Sequence, residues 1–163
     1  MPRLPYRVLP WPHFSNLPKD LRVRRHDDLV AFTKGRLVRK GFSVLQEPTI
    51  PFEETYRKPD LVVWEPGGAE AFIVDAQVTS DNFPLHNAHA RKVAKYDLPD
   101  LQDLVSALTG CPVVRVASLT LSWRGSWAAE SASVLRALGL TVGDLQIMSI
   151  KALTWTDYVS SLA

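Results

Sequence analysis

Apolar and charged residues alternate in short blocks along residues 26–40, and the spacing of the apolar ones predicts an α-helix. We expect Asp27 or Asp28 to cap its first turn and Gly41 to end it. Ahead of this helix, residues 1–20 contain five prolines, which interrupt helices and sheets alike. This segment is predicted to form an extended arm that either packs over the domain or lies along a partner.

Short apolar segments after the first helix predict β-strands. The predicted strands lie at 42–50, 60–65 and 69–80, with a polar loop at 53–59 before the second of them. Pro48 should end the first strand or push it to a sheet edge. The turn residues at 66–68 join the other two strands in a hairpin, whose register the pattern leaves open.

The second half of the chain is predicted to be mostly helical. The expected elements are helices at 86–96 and 98–110, a strand at 111–123, a helix at 126–139 capped by Ser126, and two short helices at 141–150 and 154–163. Gly110 is positioned to end the second of these helices. The order predicts an α/β fold with a mixed β-sheet flanked by helices.

The length of 163 residues and the apolar content of 46% are those of one globular domain. We expect an arm at residues 1–21 and a domain at 22–163, with its core at about 22–125 and C-terminal helices at 126–163. A single cysteine excludes an internal disulfide framework and a cysteine-based zinc site. Without a long apolar run or a secretory leader, we expect an intracellular protein with no membrane partner.

Charge is distributed unevenly along the chain. Residues 1–45 contain ten Lys and Arg against three Asp, whereas the remainder is net acidic. A basic N-terminal third suits a phosphate backbone, but charge alone favours the simpler explanation of solubility and surface decoration of one helix.

Asp75 is the most unusual residue of the predicted strands, because it interrupts an apolar run. Side chains alternate along a strand, so Ile73, Asp75 and Gln77 share one face, while Val74 and Ala76 share the other. A carboxylate in such a strand must be paired, hydrogen-bonded or bound to a metal. The simplest alternative is a strand-end aspartate in a salt bridge.

Asp60 opens the neighbouring strand of the predicted hairpin, so one plausible register brings it close to Asp75. Two adjacent carboxylates repel unless a cation lies between them, and Mg²⁺ favours such a pair together with substrate phosphate and water. Asp60 could instead be a turn residue, since it follows Pro59.

Lys92 and Lys95 lie three positions apart on the helix after the third predicted strand. A phosphodiester-cleaving site needs a cation that offsets negative charge at the attacked phosphorus, and either lysine could supply it. The spacing does not choose between them, and solvated helix lysines are the ordinary alternative.

Four segments in order then resemble a known family. They are RRHDD (24–28), RKPD (57–60), VDAQV (74–78) and HARKVAKYD (89–97). Together they resemble the restriction-endonuclease-like domain of site-specific non-LTR retrotransposons of the R2 type, a variant of the PD-(D/E)xK nuclease superfamily. The superfamily places a lysine at the position of Gln77, and the retrotransposon variant takes it from the following helix instead, which matches Lys92 or Lys95.

This resemblance, which covers about residues 22–100, implies a PD-(D/E)xK nuclease-like fold. It implies that Asp60, Asp75 and the backbone carbonyl of Ala76 bind Mg²⁺ (or Mn²⁺). It also implies an endonuclease that nicks target DNA in the nucleus, so that the 3′ end primes reverse transcription of the element RNA. We expect the chain to be one domain of a larger protein that contains the reverse transcriptase.

Further residues could assist this chemistry. Phosphate contacts are expected from Arg24, Arg25, Arg57 and Lys58. Accessory roles are considered for His26, Asp27, Gln77 and Tyr96. Ordinary structural roles are the alternatives. They are a cap and structural hydrogen bonds for His26 and Asp27, packing for Tyr96, and surface charge for the four basic residues.

Two rival functions remain open on the sequence alone. One is a nuclease that, like a Holliday-junction resolvase, selects branched DNA, and the other is a nucleic-acid-binding remnant with an inactive site. A small-molecule enzyme is disfavoured because the chain has no glycine-rich phosphate loop and no recognisable Ser/His/Asp arrangement. The oligomeric state is left open.

Overall fold

A mixed four-stranded sheet forms the centre of the computed structural model, which describes residues 18–80 and 82–160. In chain order the elements are α1 (Lys19–Arg39), β1 (Ser43–Gln46), β2 (Ile50–Phe52), β3 (Thr55–Arg57), β4 (Leu61–Trp64), β5 (Glu70–Thr79), α2 (Leu85–Tyr96), α3 (Pro99–Thr109), β6 (Val113–Ser122), α4 (Ala129–Ala137) and α5 (Val142–Ser160). The order across the sheet is β1-β4-β5-β6. The first three strands are antiparallel, and β5 and β6 are parallel because α2 and α3 form the crossover between them. The predicted mixed sheet flanked by helices is confirmed.

Two hydrophobic cores cover the two faces of this sheet. On one face, α1, α4 and α5 bury residues that include Leu29, Val74 and Ala76. On the other face, α2, α3 and the β2–β3 hairpin bury Ile73 and Tyr96. Alternate residues of β5 therefore enter different cores, as the alternation along the strand predicts.

The β4–β5 hairpin confirms the predicted pairing of the second and third strands. Its register pairs Leu61 with Val74 and Trp64 with Ala71. The two crossover helices also lie where they were predicted, and Gly110 ends α3 in the left-handed conformation that a side chain disfavours.

The predicted start of the first helix, at residue 26, is wrong. The helix α1 begins at Lys19, immediately after Pro18, so Asp27 and Asp28 lie inside the helix and cap nothing. Arg25 and Leu29, four residues apart, lie on the same buried face of α1. Because the first half of the helix is mostly charged, the spacing of apolar residues does not reveal that the helix begins at Lys19. Residues 19–21 of the predicted arm are therefore helical, and residues 1–17 lie outside the described residues.

The predicted first strand, 42–50, is two strands. The chain leaves β1 at Glu47, whose φ of 48° breaks the extended conformation, and resumes in β2 after Pro48. The following β3 occupies the predicted polar loop and pairs with β2 in a separate two-stranded sheet. This small hairpin covers the edge of the core beneath α2 and α3.

The C-terminal helices also differ from the prediction. The helix α4 begins after Ala128 rather than at Ser126, and the two predicted short helices are one continuous helix, α5. Reciprocal hydrogen bonds hold the start of α5: the Asp144 amide donates to Thr141 Oγ1 at 3.0 Å, and the Thr141 amide donates to Asp144 Oδ2 at 2.9 Å.

Among the described helices, none combines the length and apolar character that crossing a membrane requires.

Candidate active site

The two carboxylates that interrupt the hairpin strands meet at one end of β4 and β5. Because Leu61 pairs with Val74, the same register continued by one residue sets Asp60 opposite Asp75. Both face the α2 side of the sheet, with side chains 14% and 6% exposed. Their carboxyl groups interact directly, and each shifts the pKa of the other.

Asp60 is held ionised by hydrogen bonds to one oxygen. Its Oδ2 accepts from the Ala76 amide at 2.6 Å and from His26 Nε2 at 3.0 Å. Burial raises the pKa of Asp60, but these donors outweigh burial and bring the pKa below its usual value. Asp60 is therefore the more acidic member of the pair.

Asp75 is the less acidic member of the pair. Burial raises its pKa, the neighbouring Asp60 carboxylate raises it further, and the cation of Lys92 opposes both. Lys92 Nζ lies 2.5 Å from Asp75 Oδ2, and the Tyr96 hydroxyl lies 3.4 Å from Oδ1. Both partners come from α2, so this helix fixes the position of the carboxylate.

His26 supplies a second cation from the opposite side of the site. The hydrogen bond to Asp60 raises the pKa of His26 to about 9, against the effect of burial, and a contact of Nδ1 with Asp27 at 3.0 Å adds to the rise. At neutral pH the imidazole is therefore charged. The pair of carboxylates lies between two cations, His26 and Lys92.

The two lysines that the sequence leaves equivalent have different surroundings. Lys92 contacts Asp75, whereas Lys95 lies over the ring of Tyr96, with Nζ 4.7 Å from the ring centroid. Residues three apart lie on the same side of a helix, so spacing alone does not choose between them, and the contacts do. The structure brings Lys92, and not Lys95, to the carboxylate pair.

Tyr96 connects the strands to the helix from a fully buried position. Its hydroxyl donates to the carbonyl of Lys58 at 3.0 Å and reaches Asp75. Burial, followed by the nearby carboxylates, raises the pKa of Tyr96, so the hydroxyl keeps its proton and remains a donor.

Gln77 shares the face of Asp75, as predicted, but its amide group is engaged elsewhere. Its Nε2 donates to the carbonyl of Ala88 and to Thr120 Oγ1, both at 2.8 Å. The amide thus holds the first half of α2 against the sheet, one helical turn before Lys92. This contact gives Gln77 a positioning role for α2.

The four predicted phosphate contacts do not form one surface. Arg24 is exposed, but Arg25 is only 5% exposed, because it lies on the side of α1 that packs on the sheet. Burial lowers the pKa of Arg25 to about 10, and its Nε and Nη1 find no hydrogen-bond partner among the described residues. The expectation of an exposed phosphate contact is wrong for Arg25. Arg57 is the last residue of β3, and Lys58 follows it.

Sequence reasoning missed one residue next to the pair, Glu47. Its amide donates to the carbonyl of Asp60 at 2.8 Å, and its carboxylate pairs with Lys58 at 3.0 Å. This hydrogen bond continues the pairing of Gln46 with Leu61 by one residue. The Glu-Pro sequence at positions 47 and 48 indicates where the first strand breaks. It does not indicate that Glu47 would lie beside Asp60.

The donor set of this site fits a hard divalent cation. It offers carboxylate oxygens from Asp60 and Asp75 and the nearby carbonyl of Ala76, all of the type that Mg²⁺ prefers. Across residues 18–80 and 82–160, no cluster of three or more His, Cys, Asp or Glu side chains could hold a metal. An ion here would therefore complete its coordination with backbone, water or substrate oxygens, as Mg²⁺ commonly does.

Sequence comparisons relate the chain to mobile-element polyproteins, although no protein-family model matches it. It is 33% identical over 134 residues to the retrovirus-related Pol polyprotein from type-2 retrotransposable element R2DM of Drosophila melanogaster, an alignment that covers 81% of this chain and 12% of that protein. Retrovirus-related Pol polyproteins from type-1 retrotransposable element R2 are 32% identical over 120 residues in Bradysia coprophila and 30% identical over 121 residues in Nasonia vitripennis. Each of these two alignments covers 73% of this chain, and they cover 14% and 12% of the respective relatives.

The chain is therefore homologous to a segment of R2 retrotransposon Pol polyproteins. It spans only about an eighth of the length of the curated relatives it matches, between 12% and 14%.

Proposed function

We propose that this chain is the divalent-metal-dependent DNA endonuclease domain of a non-LTR retrotransposon protein. The observation that carries the proposal is the meeting of Asp60 and Asp75 at one end of the β4–β5 hairpin, with the ammonium group of Lys92 on Asp75. Homology to R2 Pol polyproteins supports the retrotransposon context. In that context, nicking of target DNA would provide the 3′ end that primes reverse transcription.

The metal would be held by Asp60, Asp75 and the carbonyl of Ala76. When bound, Mg²⁺ (or Mn²⁺) supplies Lewis acidity toward a phosphate oxygen and lowers the pKa of a water molecule. His26 and Lys92 contact the oxygens of these carboxylates and offset the repulsion of the pair.

Lys92 is the residue best placed to act on the phosphate. Its side chain is 28% exposed, so it is partly accessible to a ligand while its Nζ remains bonded to Asp75. A fixed cation in this position offsets the negative charge that develops on the phosphate oxygens during displacement. Tyr96 and Gln77 hold α2 on the sheet and thereby keep this ammonium group aimed at the site.

The partners of the whole protein follow as part of the same proposal. They are the target DNA, the element RNA and the reverse transcriptase region of the full-length protein, acting in the nucleus where the target lies.

A nicking assay on supercoiled plasmid DNA tests the proposal. The wild-type chain should nick in Mg²⁺ and stop in excess EDTA, while Asp75→Asn and Asp60→Asn should lower the rate by more than about a thousandfold and retain DNA binding. Asp103→Asn, an exposed aspartate of α3, removes the same charge elsewhere and should nick at the wild-type rate.

Three outcomes would contradict the proposal. Wild-type nicking by purified Asp75→Asn would remove the assigned site. Binding to DNA that falls with salt but never leads to metal-dependent cleavage would identify a binding remnant. Strong preference for a four-way junction over linear duplex would favour a branch-selective nuclease.

A further inference from the structure

A cavity of about 590 Å³ lies between β3 and the C-terminal half of α2. Its walls are formed by Tyr56, Arg57, Lys58, Ala94, Lys95 and Leu98. Three of these six residues are cations and none is an acid. A concave site of this size and charge suits an anionic ligand that also has a flat or apolar part.

The cavity adjoins the carboxylate pair along both of its walls. On the strand side, Lys58 lies two residues before Asp60, and its carbonyl accepts the hydrogen bond from Tyr96. On the helix side, Lys95 follows Lys92 by three residues, which is about 5 Å along the axis of α2. A nucleic-acid strand with one phosphate at the carboxylate pair would therefore bring an adjoining nucleotide to this cavity.

Tyr56 gives the cavity an aromatic surface that is open to solvent. It is 57% exposed on the short strand β3, whereas Tyr96 in the same region is fully buried. An accessible aromatic ring bordered by cations is the arrangement with which proteins bind unpaired nucleotides. The ring stacks on the base, and the cations contact the phosphates.

The three cations are oriented by neighbours that leave most of their charge available. Arg57 lies over the ring of Phe52 at 4.8 Å from its centroid, and Lys95 lies over the ring of Tyr96 at 4.7 Å. Among the residues that the structure describes, Lys58 is the one of the three that pairs with an acid, Glu47. Aromatic contacts fix a cation without neutralising it, so the cavity keeps its attraction for phosphate.

We propose that this cavity binds an unpaired nucleotide of the DNA strand that is cut, adjacent to the cleaved phosphate and with its base stacked on Tyr56. The inference rests on the proposed function and specifies its substrate. A base inside an intact duplex has both faces covered by its neighbours and cannot stack on a tyrosine. The protein would therefore act where the strand is locally unpaired.

Equilibrium binding in EDTA tests this subsite apart from cleavage. Tyr56→Ala should weaken binding of a short single-stranded DNA about tenfold, while Tyr56→Phe keeps the ring and the affinity. Binding of an intact duplex should change by less than about twofold, because a paired base does not reach the ring. Arg57→Ala should weaken single-strand binding more than Arg115→Ala, which removes the same charge from the start of β6, where it pairs with Glu70.

A second measurement uses the wild-type chain and does not depend on a variant folding. Single 2-aminopurine substitutions along the strand should show quenching confined to one or two positions beside the cut site. Unchanged single-strand affinity in Tyr56→Ala, an equal loss for duplex and single strand, tighter binding to RNA of the same sequence, or the absence of position-specific quenching would each overturn the subsite. Asp75→Asn should keep the quenching, so a failure of the nuclease proposal and a failure of the subsite are distinguishable.

Discussion

The two faces of strand β5 differ in role: one packs in an apolar core, and the other carries residues of the candidate site. On the α1 face, Val74 and Ala76 enter an apolar core in which packing supplies stability. On the α2 face, Asp75 is buried and Gln77 is half-buried, and each has a polar partner: Lys92 contacts Asp75, and Gln77 donates to the carbonyl of Ala88. The comparison teaches that the strand tolerates a buried carboxylate because the opposite face and both neighbouring strands hold the sheet in place.

The largest expected effect concerns the apolar face. Leu119→Ala removes a fully buried side chain of β6 that packs with Ala76, and it should lower the free energy of unfolding by about 3 kcal/mol. The nicking rate per folded molecule should stay within about twofold at a temperature where the variant is folded. Chemical denaturation, with the nicking assay in parallel, measures both. A large loss of rate in folded Leu119→Ala would show that the two faces are not separable.

The next effect distinguishes the two lysines of α2. Lys92→Met should lower the nicking rate about a hundredfold, equivalent to about 2.7 kcal/mol, because it removes the cation on Asp75. Lys95→Met should retain the rate at saturating DNA and weaken only binding, by a few fold. Single-turnover kinetics over a range of DNA concentrations separate the two. Equal rate losses would mean that the contact with Asp75 does not decide which lysine acts.

A smaller effect is expected from the amide that positions α2. Gln77→Ala removes the side-chain donor to the carbonyl of Ala88 and loosens the helix that carries Lys92, so we expect a rate about tenfold lower with DNA affinity unchanged. Gln102→Ala removes an amide on α3 that bonds only Asp97 in the described structure and serves as the control. A wild-type rate in Gln77→Ala would restrict the residue to a packing role.

The smallest effect is the titration of His26. In the ion-free protein its pKa should be about 9, and Asp60→Asn should return it toward 6.5 because the hydrogen bond to a carboxylate is lost. Since the folded-state pKa is raised, the stabilisation from charged His26 is complete below about pH 6.5 and is lost as pH rises through about 9. NMR titration of the imidazole measures this, with His89, whose pKa burial lowers, as an internal control. A normal pKa for His26 would contradict the described ion pair.

The hairpin and its carboxylates could be predicted from the sequence because both depend on local rules. A turn at 66–68 between two apolar strands leaves few registers, and alternation then assigns Asp60 and Asp75 to one face. The same local rules located α2, α3 and β6.

The remaining features depend on tertiary contacts that no local pattern records. Spacing on α2 allows either lysine, and only the packing of Tyr96 against the sheet sets the rotation of the helix. From the sequence, Arg25 is expected to be a surface charge, but it is buried because α1 packs on the sheet. The small β2–β3 hairpin has too few apolar residues to be distinguished from a loop, yet it supplies Tyr56 to the proposed subsite.

The ion pair of His26 with Asp60 spans 34 positions of the chain, and that of Lys92 with Asp75 spans 17. No contiguous fragment shorter than these spans contains both members of a pair. A chain that lacks the part of α1 up to and including His26 would keep Asp60 without its counter-charge, and one that ends in α2 before Lys92 would keep Asp75 without its own. In the proposed nuclease, assembly of the site would therefore require α1 through α2 in one intact molecule.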